Sequence, residues 1–264
     1  NRWTYGPWID TFGNPELLID AAKLARENGI PASALWAEDW IGKEVALGGE
    51  HLTYDWEEDP ELYPDIEGLA AELHGMGFKF LTYINPMVAS DTQVFTEGVE
   101  GGFLASDEDG EPIELEFPFG EPPAYYDMTV EGSLDWFWGY LGRAADKGID
   151  GWMHDYGESL PLEAVMGDGR SGFEVHNEYP LLWAEAGRAF WEMKRPDGDF
   201  AIFNRSGYTG ISAHTHIMWL GDQLVTFDRN DGLGSVPRLY LSAGMSGIAL
   251  THSDIGGYTS FGSS

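Results

Sequence analysis

Short apolar runs alternate with amphipathic segments along most of the chain. Runs of strand length stand at residues 3–9, 32–37, 78–84, 150–154, 201–203, 216–221 and 247–250. Between them, apolar residues recur at helical spacing within 14–29, 64–76, 132–147, 178–194 and 232–245. In the first helix Asn14 suits the N-cap, Pro15 suits the first turn, and Gly29 ends the pattern. Strands that alternate with helices predict an α/β domain in which helices wrap a parallel sheet.

The number of strands and the chain length favour a closed barrel over an open sheet. No Gly-x-Gly-x-x-Gly motif follows the first strand, which disfavours a dinucleotide-binding Rossmann fold. The 264 residues are close to the roughly 250 of a (β/α)8 TIM barrel. Seven of the strand–helix units are visible, so the barrel is predicted to be incomplete within this chain. Either an eighth strand follows residue 264 or the first apolar run holds two strands.

The stretch 87–130 is a long excursion between two barrel units, and we expect it to cap the C-terminal face of the barrel. Within it, Asp107-Glu108-Asp109-Gly110 predicts a hairpin turn. The same residues resemble the start of a calcium-binding loop, but position twelve is Pro118, which offers no side-chain oxygen to a cation. A turn is therefore the preferred interpretation.

The charge balance restricts the partners of the chain. It has 45 Asp and Glu against 14 Lys and Arg, for a net charge of −31. Nucleic acid and anionic membrane surfaces are excluded as general partners, because both attract basic proteins. Only five of the cations are Lys, and concentrated salt screens the self-repulsion of such an acidic surface. We expect a halophilic protein from a high-salt cytoplasm, with an acidic secreted enzyme as the alternative.

The composition of the chain excludes several kinds of chemistry. The chain has no Cys, so disulfides and thiolate ligands are excluded. No apolar run reaches the roughly 18 residues of a membrane-spanning helix. Neither a cofactor nor a metal is expected.

Carboxylates stand at the ends of several predicted strands, where a barrel has its active site. Glu38 and Asp39 follow the second strand, Asp155 the fourth, Asp222 the sixth and Asp254 the seventh. Trp, Tyr or Gly accompanies each of them, and the chain has 11 Trp. Flat aromatic faces beside carboxylates suit a sugar ring. Glycoside hydrolysis needs at least two carboxylates that face each other across a small pocket, and Asp155 and Asp222 are the candidate pair.

Four segments, in the same order, resemble glycoside hydrolase family 31. Residues 151–161 (GWMHDYGESLP) resemble its nucleophile segment, and 203–207 (FNRSG) resemble its substrate-binding arginine strand. Residues 218–223 (MWLGDQ) resemble its acid/base segment, and 253–258 (SDIGGY) its motif after strand seven. From Ile30 to Tyr258 the chain is most similar to the sulfoquinovosidase branch.

The resemblance implies a retaining exo-α-glycosidase that acts on a small α-glycoside. Asp155 would be its nucleophile, Asp222 its acid/base, and Arg205 would hold sugar hydroxyls. The strand ends and the family pattern together give eight further candidate substrate-binding residues: Glu38, Asp39, His51, Tyr54, Trp152, Trp219, Asp254 and Tyr258. Residues 1–264 would form only the catalytic barrel of the family, without its flanking β-sandwich domains.

The chain departs from the sulfoquinovosidase pattern at the positions that would bind the sulfonate. Glu38 and Tyr258 fit that pattern. Phe12 replaces a Gln or Lys, His51 an Arg, and Tyr54 a Trp. An Arg can clamp a sulfonate with two hydrogen bonds, whereas a His gives at best one charged donor, and only when it is protonated.

The identity of the sugar therefore stays open at this point. The Asp that typical α-glucosidases of the family have near Ala37 is absent as well. We expect Glu38, His51, Tyr54 and Tyr258 to line the non-reducing end of the pocket. We also expect a weaker preference for a sulfonate than in the matching branch, with activity on a neutral glucoside-like sugar.

Two other functions compete with the glycosidase. His214 and His216 alternate along a predicted strand and would point to one side of it, as a metal pair requires, so a metal-dependent barrel hydrolase is one alternative. They stand at the beginning of that strand, away from the expected active face. The other alternative is a carbohydrate-binding barrel that has lost catalysis.

Overall fold

A curled sheet of seven parallel strands forms the centre of the protein. The computed structural model describes residues 2–46, 49–115 and 121–260. Neighbours in the sheet follow the order β1, β2, β5, β8, β9, β10 and β11, and each neighbouring pair is parallel. Their bounds are Trp8–Thr11, Ala34–Ala37, Lys79–Ile84, Gly151–His154, Ala201–Asn204, Ile217–Trp219 and Thr251–His252. The predicted parallel α/β architecture is confirmed.

Helices connect most of these strands. The α-helices α1 to α7 span Pro15–Glu27, Ile66–Gly75, Gln93–Gly101, Ser133–Asp146, Gly172–Val175, Tyr179–Lys194 and Val236–Met245. The predicted start of α1 is confirmed, because the Asn14 side chain accepts a hydrogen bond from the backbone N–H of Leu17. Helices α3 and α5 were not predicted. Within the described ranges, no helix has the length and apolar character needed to cross a membrane.

The sheet curls strongly, as the strands of a barrel do. Trp8, on the first strand, lies with its ring 5.7 Å from the ring of His252 on the last. Phe203, from β9, lies between them at 5.5 Å from Trp8 and 4.9 Å from His252, and it also contacts Trp36 from β2. These aromatic rings meet inside the curl and bring opposite edges of the sheet together.

The two ends of the sheet differ from the sequence prediction. The run at 3–9 begins as a 3₁₀ helix, Arg2–Tyr5, and β1 starts only at Trp8. The intervening Pro7 has no N–H to donate to a strand partner. The first run therefore holds one strand, which excludes the explanation that it holds two. The last strand was predicted at 247–250, but β11 lies just beyond that range. A strand after residue 260 would lie outside the described residues.

The excursion at 87–130 contains a small antiparallel pair, β6 (Met87–Ala89) and β7 (Pro123–Tyr125), with α3 between them. The predicted turn is confirmed, because Asp107 N–H donates to the carbonyl of Glu111 and the Asp107 carboxylate accepts from the N–H groups of Asp109 and Glu111. Position twelve of the rejected calcium loop, Pro118, lies outside the described residues. Backbone hydrogen bonds join Ser106 to Val165, in the segment after β8.

A second antiparallel hairpin follows β2 and was not predicted. It consists of β3 (Lys43–Ala46) and β4 (Gly49–Leu52), with Glu44 opposite His51. The hairpin brings His51 and Leu52 to the cavity described below. The excursion and the hairpin thus both extend from segments that follow strand ends, as expected for loops around a barrel active site.

Candidate active site

A cavity of about 590 Å³ lies where the strands of the sheet end. Almost every strand of the sheet, or the segment after it, contributes to its wall, and so does the β3–β4 hairpin. The lining residues are Asp10, Phe12, Glu38, Glu50, His51, Leu52, Tyr54, Tyr83, Met153, Asp155, Tyr156, Arg205, Trp219, Asp222 and Tyr258. The structure thus brings eight of the eleven predicted site residues together: Asp155, Asp222, Arg205, Glu38, His51, Tyr54, Trp219 and Tyr258.

Asp155 is held firmly at the end of β8. Its backbone N–H donates to the carbonyl of Ile84 on β5 at 2.9 Å. The hydroxyl of Tyr83 donates to Asp155 Oδ2 at 2.7 Å, and Arg205 Nε lies 3.3 Å from Oδ1. The carboxyl is almost fully buried, at 4% exposure. The next residue, Tyr156, has a φ of 56°, an uncommon conformation for a side chain of that size.

Burial raises the pKa of Asp155 from its ordinary value to about 6. The positive charge of Arg205 and the hydrogen bond from Tyr83 act in the opposite direction, because both favour the ionised form. Asp155 is therefore ionised at neutral pH, in a site where little water solvates its charge. An ionised carboxylate in such surroundings is suited to attack an electrophilic carbon.

Arg205 connects three groups at the edge of the cavity. Its Nε and Nη2 donate to Glu158 Oε1 at 2.8 and 2.5 Å. Its guanidinium also lies 3.8 Å above the ring of Tyr156. A planar guanidinium that pairs with carboxylates and stacks on an aromatic ring has a fixed orientation. Arg205 therefore presents a fixed positive charge beside Asp155.

Asp222 differs from Asp155 in its surroundings. It follows β10 and is exposed within the cavity. Desolvation by the surrounding protein and the negative charge of Asp231 raise the pKa of Asp222, whereas the positive charge of Arg205 lowers it. The loop that carries it is fixed by the Gln223 side chain, whose Nε2 donates to the carbonyl of Leu220 at 2.8 Å. Two carboxyls of unequal environment in one cavity can divide the roles of nucleophile and proton donor.

A second group of acidic side chains lies at another part of the wall. Glu38 is buried, and its pKa is raised well above the ordinary value, first by desolvation and then by the charges of Asp10 and Asp155. The pKa of Asp10 is also raised, by the surrounding protein and by Asp254, although its side chain is exposed to the cavity. The hydroxyl of Tyr258 donates to Glu38 Oε2 at 3.4 Å. This part of the wall is rich in carboxyls.

Asp254 does not line the cavity itself. Its Oδ2 accepts a hydrogen bond of 3.3 Å from Trp219 Nε1, and the indole of Trp219 does line the cavity. Desolvation raises the pKa of Asp254 to about 6, against the effect of the Trp219 hydrogen bond. Asp254 thus contacts a residue of the wall, and its role in substrate binding stays a prediction.

The structure places two predicted substrate-binding residues away from the cavity. Trp152 lies on the outer side of β8, where its ring packs 4.7 Å from that of Trp191 on α6. Side chains alternate across a strand, so the inward residue is its neighbour Met153. Asp39 is fully buried, and its two carboxylate oxygens accept hydrogen bonds from Gly13 N–H and the Tyr63 hydroxyl. Neither side chain lines the cavity.

Sequence reasoning missed seven of the fifteen residues of the wall, and three of them contact or neighbour the predicted site residues: Asp10, Tyr83 and Tyr156. Tyr83 and Asp10 each face the cavity from a strand, and Tyr156 follows the buried Asp155. Tyr83 lies opposite the inward Met153 in the parallel register of β5 and β8, which the sequence alone does not reveal. Tyr156 also contacts Tyr54, with 2.8 Å between the two hydroxyl oxygens.

The structure separates the two histidines of the metal alternative from the cavity. His214 Nε2 lies 3.3 Å from Glu185 Oε1, whereas His216 lies beside Arg188, with 3.0 Å between Nε2 and Nη1. A neighbouring guanidinium disfavours a cation at His216. Within the described part of the chain, no group of three or more His, Asp or Glu side chains is arranged to hold a metal ion.

Comparison with known proteins agrees with the geometry. The model of the glycosyl hydrolases family 31 TIM-barrel domain matches residues 1–263. A sulfoquinovosidase of Agrobacterium fabrum is 39% identical over 238 residues, and one of Escherichia coli is 35% identical over 263 residues. These matches cover 89% and 97% of this chain but only 36% and 38% of the relatives.

Solved structures show the same relationship. A family 31 sulfoquinovosidase from E. rectale, in complex with an aza-sugar inhibitor, superposes with a TM-score of 0.92 at 36% identity. The match covers 98% of this chain and 39% of that one. The chain thus spans well under half the length of these relatives. The seven parallel strands are strands of a (β/α)8 catalytic barrel, and the chain belongs to glycoside hydrolase family 31.

Proposed function

We propose that the protein of which this chain forms the barrel is a retaining exo-α-glycosidase, with Asp155 as nucleophile and Asp222 as acid/base. One observation carries the proposal. A buried carboxylate paired with Arg205 and a more exposed carboxyl of raised pKa line the same cavity. That is the pair of environments that a double displacement requires.

In the first step, Asp155 attacks the anomeric carbon of the sugar. The bond from that carbon to the glycosidic oxygen breaks, and Asp222 donates its proton to the departing oxygen. In the second step, Asp222 removes a proton from water, and the water oxygen displaces Asp155 from the anomeric carbon. The sugar regains its original anomeric configuration, and both carboxyls return to their starting states.

The chain's own residues support each of these steps. Tyr83 and Arg205 keep Asp155 ionised before the attack and stabilise it again when it leaves the sugar. Trp219 borders the same cavity as both carboxyls, and its indole donates to Asp254. We propose that Arg205 also hydrogen-bonds sugar hydroxyls, since its guanidinium borders the cavity.

We propose a neutral sugar as the preferred substrate. The named relatives are sulfoquinovosidases, but Asp10, Glu38 and Glu50 all line this cavity. Among the described lining residues, Arg205 and His51 are the only basic side chains, and Arg205 already pairs with Asp155 and Glu158. An anionic substituent would be repelled by each of these carboxyls that is ionised.

The charge of −31 supports a high-salt cytoplasm as the site of action, because screening is needed to offset repulsion at that charge density. The dependence of the melting temperature on salt concentration tests this proposal.

The decisive experiment combines turnover with stereochemistry. The full-length protein would be incubated with aryl α-glucoside, α-xyloside and α-sulfoquinovoside, with the first-formed sugar anomer recorded by proton NMR. We expect release of the α anomer, with no loss of rate after treatment with a metal chelator. First release of the β anomer would contradict the retaining mechanism. Binding without any turnover would favour a carbohydrate-binding barrel, and loss of activity on chelation would favour a metal-dependent hydrolase.

A further inference from the structure

His154, the residue before Asp155, is fully buried on the side of β8 that faces α6. Its Nδ1 lies 3.1 Å from Nε1 of Trp152, and its Nε2 lies 2.7 Å from the carbonyl oxygen of Trp183. An indole nitrogen can only donate and a carbonyl can only accept. The imidazole must therefore accept at Nδ1 and donate from Nε2, which fixes a single neutral tautomer.

Trp183 connects this imidazole to the proposed nucleophile. Its indole stacks on the ring of His154, with 3.7 Å between ring centroids and 15° between the planes. The same indole donates from Nε1 to the backbone carbonyl of Asp155 at 3.0 Å. The peptide group that follows this carbonyl leads into the left-handed backbone of Tyr156. Trp183 thus holds the backbone at the point where the chain turns away from the strand.

The space for the imidazole exists because residue 187 on α6 is glycine. A Cβ at Gly187 would lie 2.6 Å from His154 Cε1 and 2.9 Å from Nε2. Such a contact would push the ring away from α6 and out of its stack with Trp183. The neighbouring Asn204 donates from Nδ2 to the carbonyl of His154 at 3.2 Å, so the backbone here is held from β9 as well.

We infer that His154 is a positioning residue for Asp155, acting through Trp183. The hydrogen bond from Nε2 fixes the Trp183 backbone, the stack fixes its indole, and the indole fixes the carbonyl of Asp155. The side chain of Asp155 can then meet both Tyr83 and Arg205 in one rotamer. The inference rests on the proposed glycosidase function, because it assigns a role in orienting that nucleophile.

Two near-isosteric variants test which contact matters. His154→Gln can place an amide N–H near the position of Nε2 and keep the bond to the Trp183 carbonyl. His154→Asn can keep only the acceptor for Trp152. We expect His154→Gln to retain kcat within about 5-fold and His154→Asn to lose about 100-fold, with KM nearly unchanged, because displacement of a reacting group by about 1 Å can cost that much.

Two further variants test the link from His154 through Trp183 to the Asp155 carbonyl without changing His154 itself. Trp183→Phe keeps an aromatic ring and removes the donor to the Asp155 carbonyl, and Gly187→Ala pushes the imidazole from α6. Both should lower kcat in the same way as His154→Asn. Phe190→Leu is the matched control: Phe190 packs on Trp152 beside this group, and it should lower the melting temperature without lowering kcat.

All rates are measured well below each variant's melting temperature and expressed per active site. They are paired with the rate at which a fluorosugar inactivator labels Asp155, which reports the nucleophilic attack alone. The inference would be overturned if His154→Asn had the same kcat as wild type. It would also be overturned if Phe190→Leu lost as much kcat as His154→Asn. An inactive wild-type protein would instead overturn the proposed function. If the His154 variants do not fold, Trp183→Phe decides alone, and unchanged labelling there overturns the inference.

Discussion

The hydroxyl of Tyr83 donates a 2.7 Å hydrogen bond to Oδ2 of Asp155. Tyr83 lies on β5 and Asp155 directly follows β8; because Tyr83 is opposite Met153, the register of β5 against β8 sets this contact. A phenol that donates to a carboxylate stabilises its ionised form. The strand pairing therefore contributes directly to the reactivity of the proposed nucleophile.

The ionisation of Asp155 should determine the acid limb of the pH profile. Its pKa of about 6 means that the ionised, reactive form is lost as the pH falls through that value. We expect kcat/KM to decline below about pH 6 and to be about tenfold lower near pH 5. The check is kcat/KM measured from pH 4 to pH 9 on an aryl glycoside. A rate independent of pH down to about pH 4 would contradict the raised pKa.

Removal of the Tyr83 hydroxyl should move that limb. In Tyr83→Phe the ionised carboxylate loses a donor, so its pKa should rise further and the acid limb should shift to higher pH by about one unit. Tyr126→Phe is a suitable control, because the hydroxyl of Tyr126 lies near Ser133 and not at the cavity. The same shift in both variants, or in neither, would show that the Tyr83 contact does not tune Asp155.

Replacement of Asp155 tests its role as a nucleophile directly. Asp155→Asn should retain the fold and lose nearly all turnover, on the order of 10⁴-fold or more. In Asp155→Gly, azide can enter the vacated space and attack the anomeric carbon once, which should give a glycosyl azide of inverted configuration. The product anomer is identified by NMR. Wild-type rates in Asp155→Asn, or a rescued product of retained configuration, would contradict the assignment.

The sequence predicted the strands of the barrel and most of the site because their signals are local. Asp155 and Asp222 stand directly after apolar strands, and the parallel order brings strand ends together. Trp152 does not line the cavity, because the side to which a strand residue points depends on register and its neighbour Met153 has the inward position. Asp39 does not line it either, because its carboxylate is bound by Gly13 and Tyr63, which are distant in sequence.

The residues that sequence reasoning missed depend on contacts between distant segments. Asp10 affects the pKa of Glu38 from another strand, a relationship that no spacing in the chain reveals. The β3–β4 hairpin has no clear alternation of apolar and polar residues, so its strands were not predicted. His154 was quoted only as part of a motif, and its significance requires the position of Gly187 on α6.

Stability should rise with salt concentration. At a net charge of −31, acidic side chains repel one another in the folded state, and molar salt shortens the screening distance to about 3 Å. We expect the melting temperature of the full-length protein to increase from dilute buffer to about 2 M KCl. Parallel measurements in sucrose would separate screening from general stabilisation by excluded solutes. A melting temperature that is highest in dilute buffer would contradict halophilic adaptation.

The carboxyls on the wall should determine which sugar is accepted. Asp10 raises the pKa of the buried Glu38, and a sulfonate placed beside these two carboxyls would disfavour their ionised forms further. We expect the wild-type protein to hydrolyse an aryl α-glucoside with a kcat/KM comparable to or above that for the α-sulfoquinovoside. Asp10→Asn removes an ionisable carboxyl and keeps the shape of the side chain, so it should improve the sulfoquinovoside relative to the glucoside by about tenfold. Glu50→Gln, on β4, is the matched control: Glu50 is half exposed and its Oε2 lies 3.2 Å from Lys43 Nζ, so this substitution should change the ratio less than Asp10→Asn does. The ratio of the two kcat/KM values is the quantity to compare across the three proteins, at one pH and one salt concentration. A wild-type preference for the sulfoquinovoside above about 10³-fold, corresponding to about 4 kcal/mol, would mean that His51 or another donor overcomes the repulsion and that the acidic wall does not set the specificity.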